Sequence, residues 1–343
     1  MGCLICDPAR RNVATFFTQR AGKSYHFSAG YTQLRRLINE GMVRLVDALH
    51  LGMPNVISIG LLQAAPGELI LVDTGPETVF DAVVAGVQNL GYEPRDVRYV
   101  LASHIHLDHT GGAWRWAKEV GANIYVHPKG APHLVDPSKL LASATRIYRD
   151  RMSYLWGATE PIPKHQVIAA TDCDFRLGNL LVRAISTPGH ANHHNAYWIE
   201  SEQVVFTGDV AGVKIGAGPT IPPFPPPEIN LELWRASLEK IRALKPPSIY
   251  VTHFGEIKNP LASLHELEKR LGNWADWLKQ RMREGKSEEE IGPEFQRFAE
   301  AELRNGGASE EVVKIYEQAD PASMSVAGLI RYWRKHHPDE VPA

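Results

Sequence analysis

Apolar positions along the first half of the chain fall in two registers. From residue 43 onward come short β-prone runs, "MVRLVDALHL", "NVISIGLLQA" and "ELILVDTG", each closed by Gly, Pro or Asn turn residues. The spacing then lengthens to three and four. Val79, Val83, Val84, Val87 and Leu90 predict a helix over "ETVFDAVVAGVQNLG", with Gly91 as its stop. The run "VRYVLAS" reads as a strand, "GGAWRWAKEVG" as a helix and "NIYVH" as a strand. Alternation of this kind predicts layered α/β structure. Residues 130 to 165 read as an irregular helical insert, with Tyr148, Tyr154 and Trp156 available to line a cleft.

A second strand-rich block begins near residue 166, with "HQVIAA", "FRLGNLLVRAIST", "NAYWIE" and "QVVFTGD". A helix over "NLELWRASLEKIRALKP" and a strand over "SIYVTHFG" close this core near residue 258. Two such blocks around a helical insert predict two packed sheets. Between two of these strands lies "GPTIPPFPPPE", six prolines in eleven residues, read as a stiff wall. Beyond 259 the pattern is helical: Leu264, Leu267, Leu271, Trp274 and Leu278 share one face, and Ser287 with Glu290 forms a capping-box signature. The expected organisation is an N-terminal extension over 1–42 with a helix in "YTQLRRLINEGM", a catalytic core over 43–258 and a helical extension over 259–343.

Composition narrows the functional classes. A 44% hydrophobic, 22% charged chain of 343 residues with a formal net charge of −2 carries no electrostatic footprint for nucleic acid or an anionic membrane. The opening residues do not read as a secretory signal, and no run is apolar enough to span a bilayer. Three cysteines, Cys3, Cys6 and Cys173, make no disulfide framework and fit a reducing cytoplasm. The Cys3/Cys6 pair lacks the second pair that a zinc ribbon requires. The expectation is a cytoplasmic protein with a small-molecule substrate, its terminal helices available for a homodimer.

Chemistry concentrates in "SHIHLDHTGG". In this loop at a strand end, His104 and His106 can grip one ion, leaving Asp108 and His109 to face a second. Three further donors stand at the ends of predicted strands: His190 in "TPGH", Asp209 in "TGD" and His253 in "THFG". Donors gathered from separate strand ends make a rigid metal site. Paired metals lower the pKa of a shared water, so a carbonyl or phosphorus centre can be attacked without a Ser or Cys nucleophile. No G-x-S-x-G elbow occurs in the chain. Asp108 is the natural proton acceptor, hence the candidate catalytic residue. Histidine and carboxylate donors suit zinc, and also iron, manganese or cobalt.

These motifs, with "LVDTG" at 71–75 and in this order over 43 to 258, resemble those of the metallo-β-lactamase superfamily, in particular its glyoxalase II-like and lactonase-like hydrolases. The resemblance implies an αββα sandwich with a dinuclear metal centre at one edge. It implies that His104, His106 and His190 hold one metal and Asp108, His109 and His253 the other. Asp209 would bridge the two, and Asp73 would orient ligands without binding metal. The presence of Asp209 argues against β-lactam hydrolysis as the main activity, and His106 against the flavodiiron branch, which has glutamate there. Gly212 replaces the tyrosine of typical acyl-homoserine lactonases, and Ala191, Asn192 and His193 depart from the glyoxalase II form. The adjacent His193 and His194 are candidates for the pocket wall and for holding a ligand in place. With Trp156, Phe224 and His133, His193 is expected to line an apolar pocket.

The function expected is hydrolysis of a small ester, lactone or thioester, with promiscuity toward phosphotriesters and weakly toward β-lactams. Two alternatives share the scaffold: a mononuclear iron dioxygenase of the persulfide dioxygenase type, and a non-catalytic metal-binding module.

Overall fold

The computed structural model describes residues 43–342; the expected N-terminal helix and the Cys3/Cys6 pair lie outside these residues. The first sheet comprises β1 (Val43–Asp47), β2 (Ser58–Ala65), β3 (Glu68–Val72), β4 (Val97–Leu101), β5 (Asn123–Val126) and β6 (Val167–Ala169), hydrogen-bonded in that order. The second comprises β7 (Cys173–Leu177), β8 (Leu180–Ser186), β9 (Asn195–Ile199), β10 (Val204–Phe206), β11 (Ser248–Val251) and β12 (Gly255–Lys258), again in sequence order. Both sheets are mixed: β3 through β6 run parallel, as do β10 and β11, and the other neighbours are antiparallel.

The residues of β3 and β9 explain the layering. Leu69 to Val72 and all five residues of β9 are buried, as strands covered on both faces require. Leu62, Ile70, Val72 and Leu101 of the first sheet share one core with Val182, Ala184, Tyr197 and Phe206 of the second. Gly60 permits the closest approach there, since a Cβ on it would meet the Phe206 ring at 2.5 Å. The outer faces pack against helices: α1 (Phe80–Asn89) buries Phe80, Val83 and Val87 and gives way to Gly91 at φ 88°. The strand blocks predict the two packed sheets, and the whole is the αββα sandwich that the resemblance implies.

Two local expectations change. The run "HQVIAA" opens no second block; Val167 to Ala169 pair parallel with Ile124 to Val126 as the edge of the first sheet. The helical insert is thus one crossover between parallel strands, and the second sheet begins at Cys173. The run "MVRLVDALHL" is a strand only to Asp47. Beyond it the chain turns sharply, with Leu49 and Leu51 at φ 52° and 53° on either side of His50.

Within the insert lies α2 (Ser138–Tyr148). After the second sheet's β10 comes α3 (Leu231–Ala243), and after β12 come α4 (Leu261–Arg283), α5 (Glu288–Asn305), α6 (Glu310–Ala319) and α7 (Ala322–His336). All five stripe residues of α4 are buried, and Ser287 and Glu290 exchange both capping-box hydrogen bonds. Burial of each large apolar side chain contributes about 1.5–3 kcal/mol, so the stripe fixes α4 firmly. No helix among the described residues is long and apolar enough to cross a membrane.

The last helices are stitched to the sheet loops by polar contacts. The Tyr316 hydroxyl accepts from Ile215 N at 2.9 Å and donates to Pro219 O at 2.6 Å. Ser325 Oγ accepts from Phe224 N at 3.3 Å, and Gly328 lets the Phe224 carbonyl lie against α7, where any Cβ would collide with it. Tyr316→Phe leaves the buried Ile215 N–H and Pro219 carbonyl without this partner, at a cost of about 1–3 kcal/mol. The expected outcome is a thermal midpoint lowered by about 2–6 °C in calorimetry, with secondary structure retained.

Candidate metal centre

The loops that follow the C-terminal ends of β3, β4, β8, β10 and β11 meet at one edge of the sandwich. They carry Asp73, the "SHIHLDHTGG" segment, His190, Asp209 and His253 respectively. His104 stands in extended chain just beyond β4, and His106 leads into the single helical turn Leu107–Thr110 that carries Asp108 and His109.

Six of the seven predicted donors fall into two triads. His106 Nδ1 lies 2.8 Å from His104 Nε2 and 3.0 Å from His190 Nε2. Asp108 Oδ2 lies 3.5 Å from His109 Nε2 and 3.3 Å from His253 Nε2. The seventh, Asp209, faces both: Oδ2 is 3.3 Å from His190 Nε2, while Oδ1 is 3.3 Å from His109 Nε2 and 3.8 Å from His253 Nε2. Within each triad the donor atoms lie within 4.8 Å of one another, as one ion requires. His104, His109, His190, Asp209 and His253 are buried, whereas the Asp108 side chain is 23% exposed and marks the open side.

Outer hydrogen bonds fix which nitrogen each ring turns inward. His253 Nδ1 meets Val56 O at 2.7 Å, His190 Nδ1 meets Pro223 O at 3.0 Å and His109 Nδ1 meets Asp73 Oδ2 at 2.8 Å. A carbonyl or carboxylate can only accept, so each Nδ1 carries the proton and each Nε2 offers its lone pair to the cluster. Asp73 itself accepts further bonds from Ser103 N, Ser103 Oγ and Thr252 Oγ1. His194 is buried behind the cluster; its Nε2 accepts from Asp209 N at 3.2 Å, and its Nδ1 meets Thr187 Oγ1 at 2.8 Å. It therefore holds the Asp209 backbone in place.

Electrostatics separate the two halves. Burial, with neighbouring imidazoles, pushes His104 and His106 well below the usual histidine range. Burial opposes charge on His109 too, yet Asp209, Asp108 and Asp73 raise it well above that range. Burial resists ionisation of Asp209, but His109, His190 and His253 hold its carboxyl well below the usual carboxylate range. His109 Nε2 and Asp209 Oδ1 are buried without hydrogen-bond partners. Two buried donor atoms 3.3 Å apart that make no hydrogen bond are what a divalent cation would satisfy, so the donor set fits a divalent-metal site.

The cluster forms the floor of a cavity of about 590 Å³, within the range of small-molecule sites. His133, His193 and Trp156 line it. His193 Nε2 lies 3.4 Å from a Glu228 oxygen, and burial pushes its pKa down to about 4 against that carboxylate's pull. Phe224 does not line the cavity. It is fully buried under the proline tract, edge-on to Trp234 at 5.6 Å. The prolines themselves, Pro223 and Pro225 to Pro227, form the wall. Of the insert's aromatics, Tyr148 and Trp156 line the cavity, while Tyr154 is 63% exposed.

Three contributions escaped the sequence reading. His50, held in the strained turn, stacks on Trp156 at 5.5 Å and 6°, with its Nδ1 buried and unpartnered; burial pushes its pKa down to about 4. The cavity face of α2, with Lys139, Leu140, Ser143, Ala144, Ile147 and Tyr148, repeats every four residues and was legible as a stripe. The segment from Glu317 to Met324, the end of α6 and the start of α7 with Asp320 and Pro321 between them, closes the far side, and no local motif announces it.

A family model described as Metallo-beta-lactamase superfamily matches residues 52–253, more than half of the chain. A metallo-beta-lactamase fold-containing protein of Sulfurisphaera tokodaii is 28% identical over 172 residues, 49% of this chain and 64% of that protein. An atrochrysone carboxyl ACP thioesterase of Aspergillus fumigatus is 31% identical over 160 residues, 47% of this chain and 39% of that enzyme. The chain thus spans less than two thirds of the length of either relative. Among solved structures, a metallo-beta-lactamase family protein of Thermus thermophilus superposes with a TM-score of 0.59 at 20% identity, covering 86% of this chain and 94% of that one.

Asp73→Ala removes the acceptor that fixes the His109 ring. It is expected to weaken divalent-metal affinity about 10–100-fold in chelator competition.

Proposed function

We propose that this chain, which belongs to the metallo-beta-lactamase superfamily, hydrolyses the acyl bond of a small ester, lactone or thioester at a centre that holds two divalent ions. In this reading His104, His106 and His190 would hold one ion, Asp108, His109 and His253 would hold the other, and Asp209 would be shared between them. Zinc suits this donor set best, with iron, manganese and cobalt able to replace it.

The observation that carries the reading is the position of Asp209 between the triads, one carboxylate oxygen toward each. A lone ion needs only one triad; a carboxylate shared in this way supports two. When bound, the ions supply Lewis acidity toward the substrate's carbonyl oxygen and a water activated near neutral pH. The protein's own residues do the rest. Asp108, open to the cavity, accepts the proton of the attacking water and returns it to the departing oxygen or sulfur. Asp73, His194, Val56 and Pro223 keep the donors aimed, so little reorganisation accompanies the reaction. Trp156, Leu155 and Leu107 take up the apolar part of the acyl group. Relatives named as thioesterases, the Aspergillus fumigatus enzyme and one from Emericella nidulans at 30% identity over 190 residues, favour a thioester among the three bonds.

Metal analysis of the purified protein is expected to give two ions per chain, and a chelator should abolish turnover of aryl esters and thioesters. One iron per chain with oxygen uptake and no hydrolysis would overturn the reading. Asp108→Ala is expected to lower kcat by about 10²–10⁴-fold, with the circular dichroism spectrum unchanged. Unaltered kcat would remove Asp108 from the mechanism.

A further inference from the structure

The cavity is charged unevenly. The stretch from Ser138 to Arg151 carries four cations, Lys139, Arg146, Arg149 and Arg151, against one acid, Asp150, in a chain whose net charge is −2. All four are exposed, and none has an ion-pair partner within 4 Å among the described residues. Some helical cations elsewhere are paired, Arg304 with Glu300 and Glu310 and Arg281 with Glu284 and Glu294, and others, such as Lys269 and Arg297, are not; what sets this group apart is its place beside the cavity. Lys139 and Arg151 lie on the cavity face of the insert.

The acids that line the cavity outside the metal cluster are already engaged. Glu228 faces His193 at 3.4 Å and accepts from Asn192 N at 3.0 Å. Glu317 accepts from Ala322 N at 3.3 Å, and Asp320 is buried with a hydrogen bond from Ser325. Glu228 faces a His193 that burial keeps uncharged, so carboxylate and cations both reach the cavity, the cations together on the face of the insert. Depth separates the cations from the apolar lining: Leu107, Ala144, Leu155 and Trp156 are buried, whereas Lys139 and Arg151 are exposed at the rim.

We propose that Lys139 and Arg151, supported by Arg146 and Arg149, form a subsite for the phosphate-bearing thiol half of an acyl thioester. The inference rests on the hydrolase reading and narrows its substrate. The acyl group enters the apolar interior, the thioester carbonyl reaches the cluster, and the carrier's phosphates stay at the wet rim against the cations. In the reaction the C–S bond breaks, the water oxygen becomes part of the acyl carboxylate, and the thiol leaves with the proton that Asp108 passes on. An acyl substrate bearing its own carboxylate would present the same negative charge from the other half of the molecule. The rim position of the cations favours the carrier, because a charged acyl end would have to pass the apolar lining.

The test uses the metal-loaded full chain and three thioesters: a medium-chain acyl-coenzyme A, the same acyl group on uncharged N-acetylcysteamine, and a succinyl N-acetylcysteamine thioester. The expected result is a KM about tenfold or more lower for the coenzyme A thioester than for its uncharged counterpart, narrowing as salt is raised. The gap should collapse in the Lys139→Glu/Arg151→Glu double variant, whose thermal midpoint is checked in parallel. Equal KM values at low salt, or a gap that survives in the folded variant, would overturn the subsite. An equal advantage for the succinyl thioester would assign the cations to an acyl carboxylate and overturn the carrier assignment. If no thioester is turned over, the thioester part of the hydrolase reading fails on its own. Calorimetric binding of free coenzyme A then decides the subsite: loss of binding in the variant supports it, and identical or absent binding in both proteins overturns it.

Discussion

One buried carboxylate ties the site to the fold. Asp73 stands just beyond β3 at φ 59°, and its two oxygens accept from Ser103 N, Ser103 Oγ, His109 Nδ1 and Thr252 Oγ1 at 2.8–2.9 Å. Those partners follow β4 in the first sheet and β11 in the second, so a single side chain fastens the ends of three strands across the sandwich. Hydrogen bonds to a charged acceptor contribute about 1.5–3 kcal/mol each, enough to offset a left-handed backbone and the burial of the carboxylate. Without this anchor the two sheets could still pack through Leu62, Tyr197 and Phe206. The His109 ring and the Thr252–His253 segment would then have no shared reference point.

The same logic of anchoring accounts for the other donors. Each inward-facing nitrogen whose far side meets a backbone carbonyl belongs to a histidine on a loop that a strand or proline has already fixed: Val56 O before β2, Pro223 O in the proline tract. The proline tract thus serves both as the cavity wall and as the acceptor behind His190. Rigid strand ends and a stiff polyproline segment deny the donors the freedom to settle into a better arrangement, leaving His109 Nε2 and Asp209 Oδ1 buried 3.3 Å apart without a hydrogen bond. Such orphaned atoms are costly in a protein interior unless a cation satisfies them.

The sequence disclosed what is local or repeated. The histidine motif is contiguous, and its partners each follow a β-prone run with a Gly or Pro beside them, so the donor set could be assembled before any coordinates. The α4 stripe and the Ser287 cap were equally plain, because one helix contains all their information. Sheet membership was not: Val167 to Ala169 read as a strand, but alternation along a strand does not name its neighbour. Phe224 was placed in the pocket because it lies among the lining prolines, whereas packing against Trp234 and α7 turns it into the core. His50 lay inside an apparent strand, and the reversal that positions it depends on Asp47, whose oxygens accept from Leu49 N and Asn55 N. The Glu317–Met324 wall depends on four helices folding back, which no local pattern encodes.

These differences follow a division within the molecule. Donors that must meet an ion within tenths of an ångström are placed by strand ends and buried hydrogen bonds, where each position is over-determined. The groups that face a substrate are placed by α2 and by the α6–α7 turn, which touch the sheets through fewer contacts and reach the cavity from segments about 170 residues apart. A scaffold of this kind can change its substrate by altering a helix face or a turn while the donor cluster stays fixed. Exposed cations on one wall and hydrogen-bonded acids on the other give the two sides of the cavity different characters. The donor cluster offers a place for divalent metal; the walls around it determine what can reach that place.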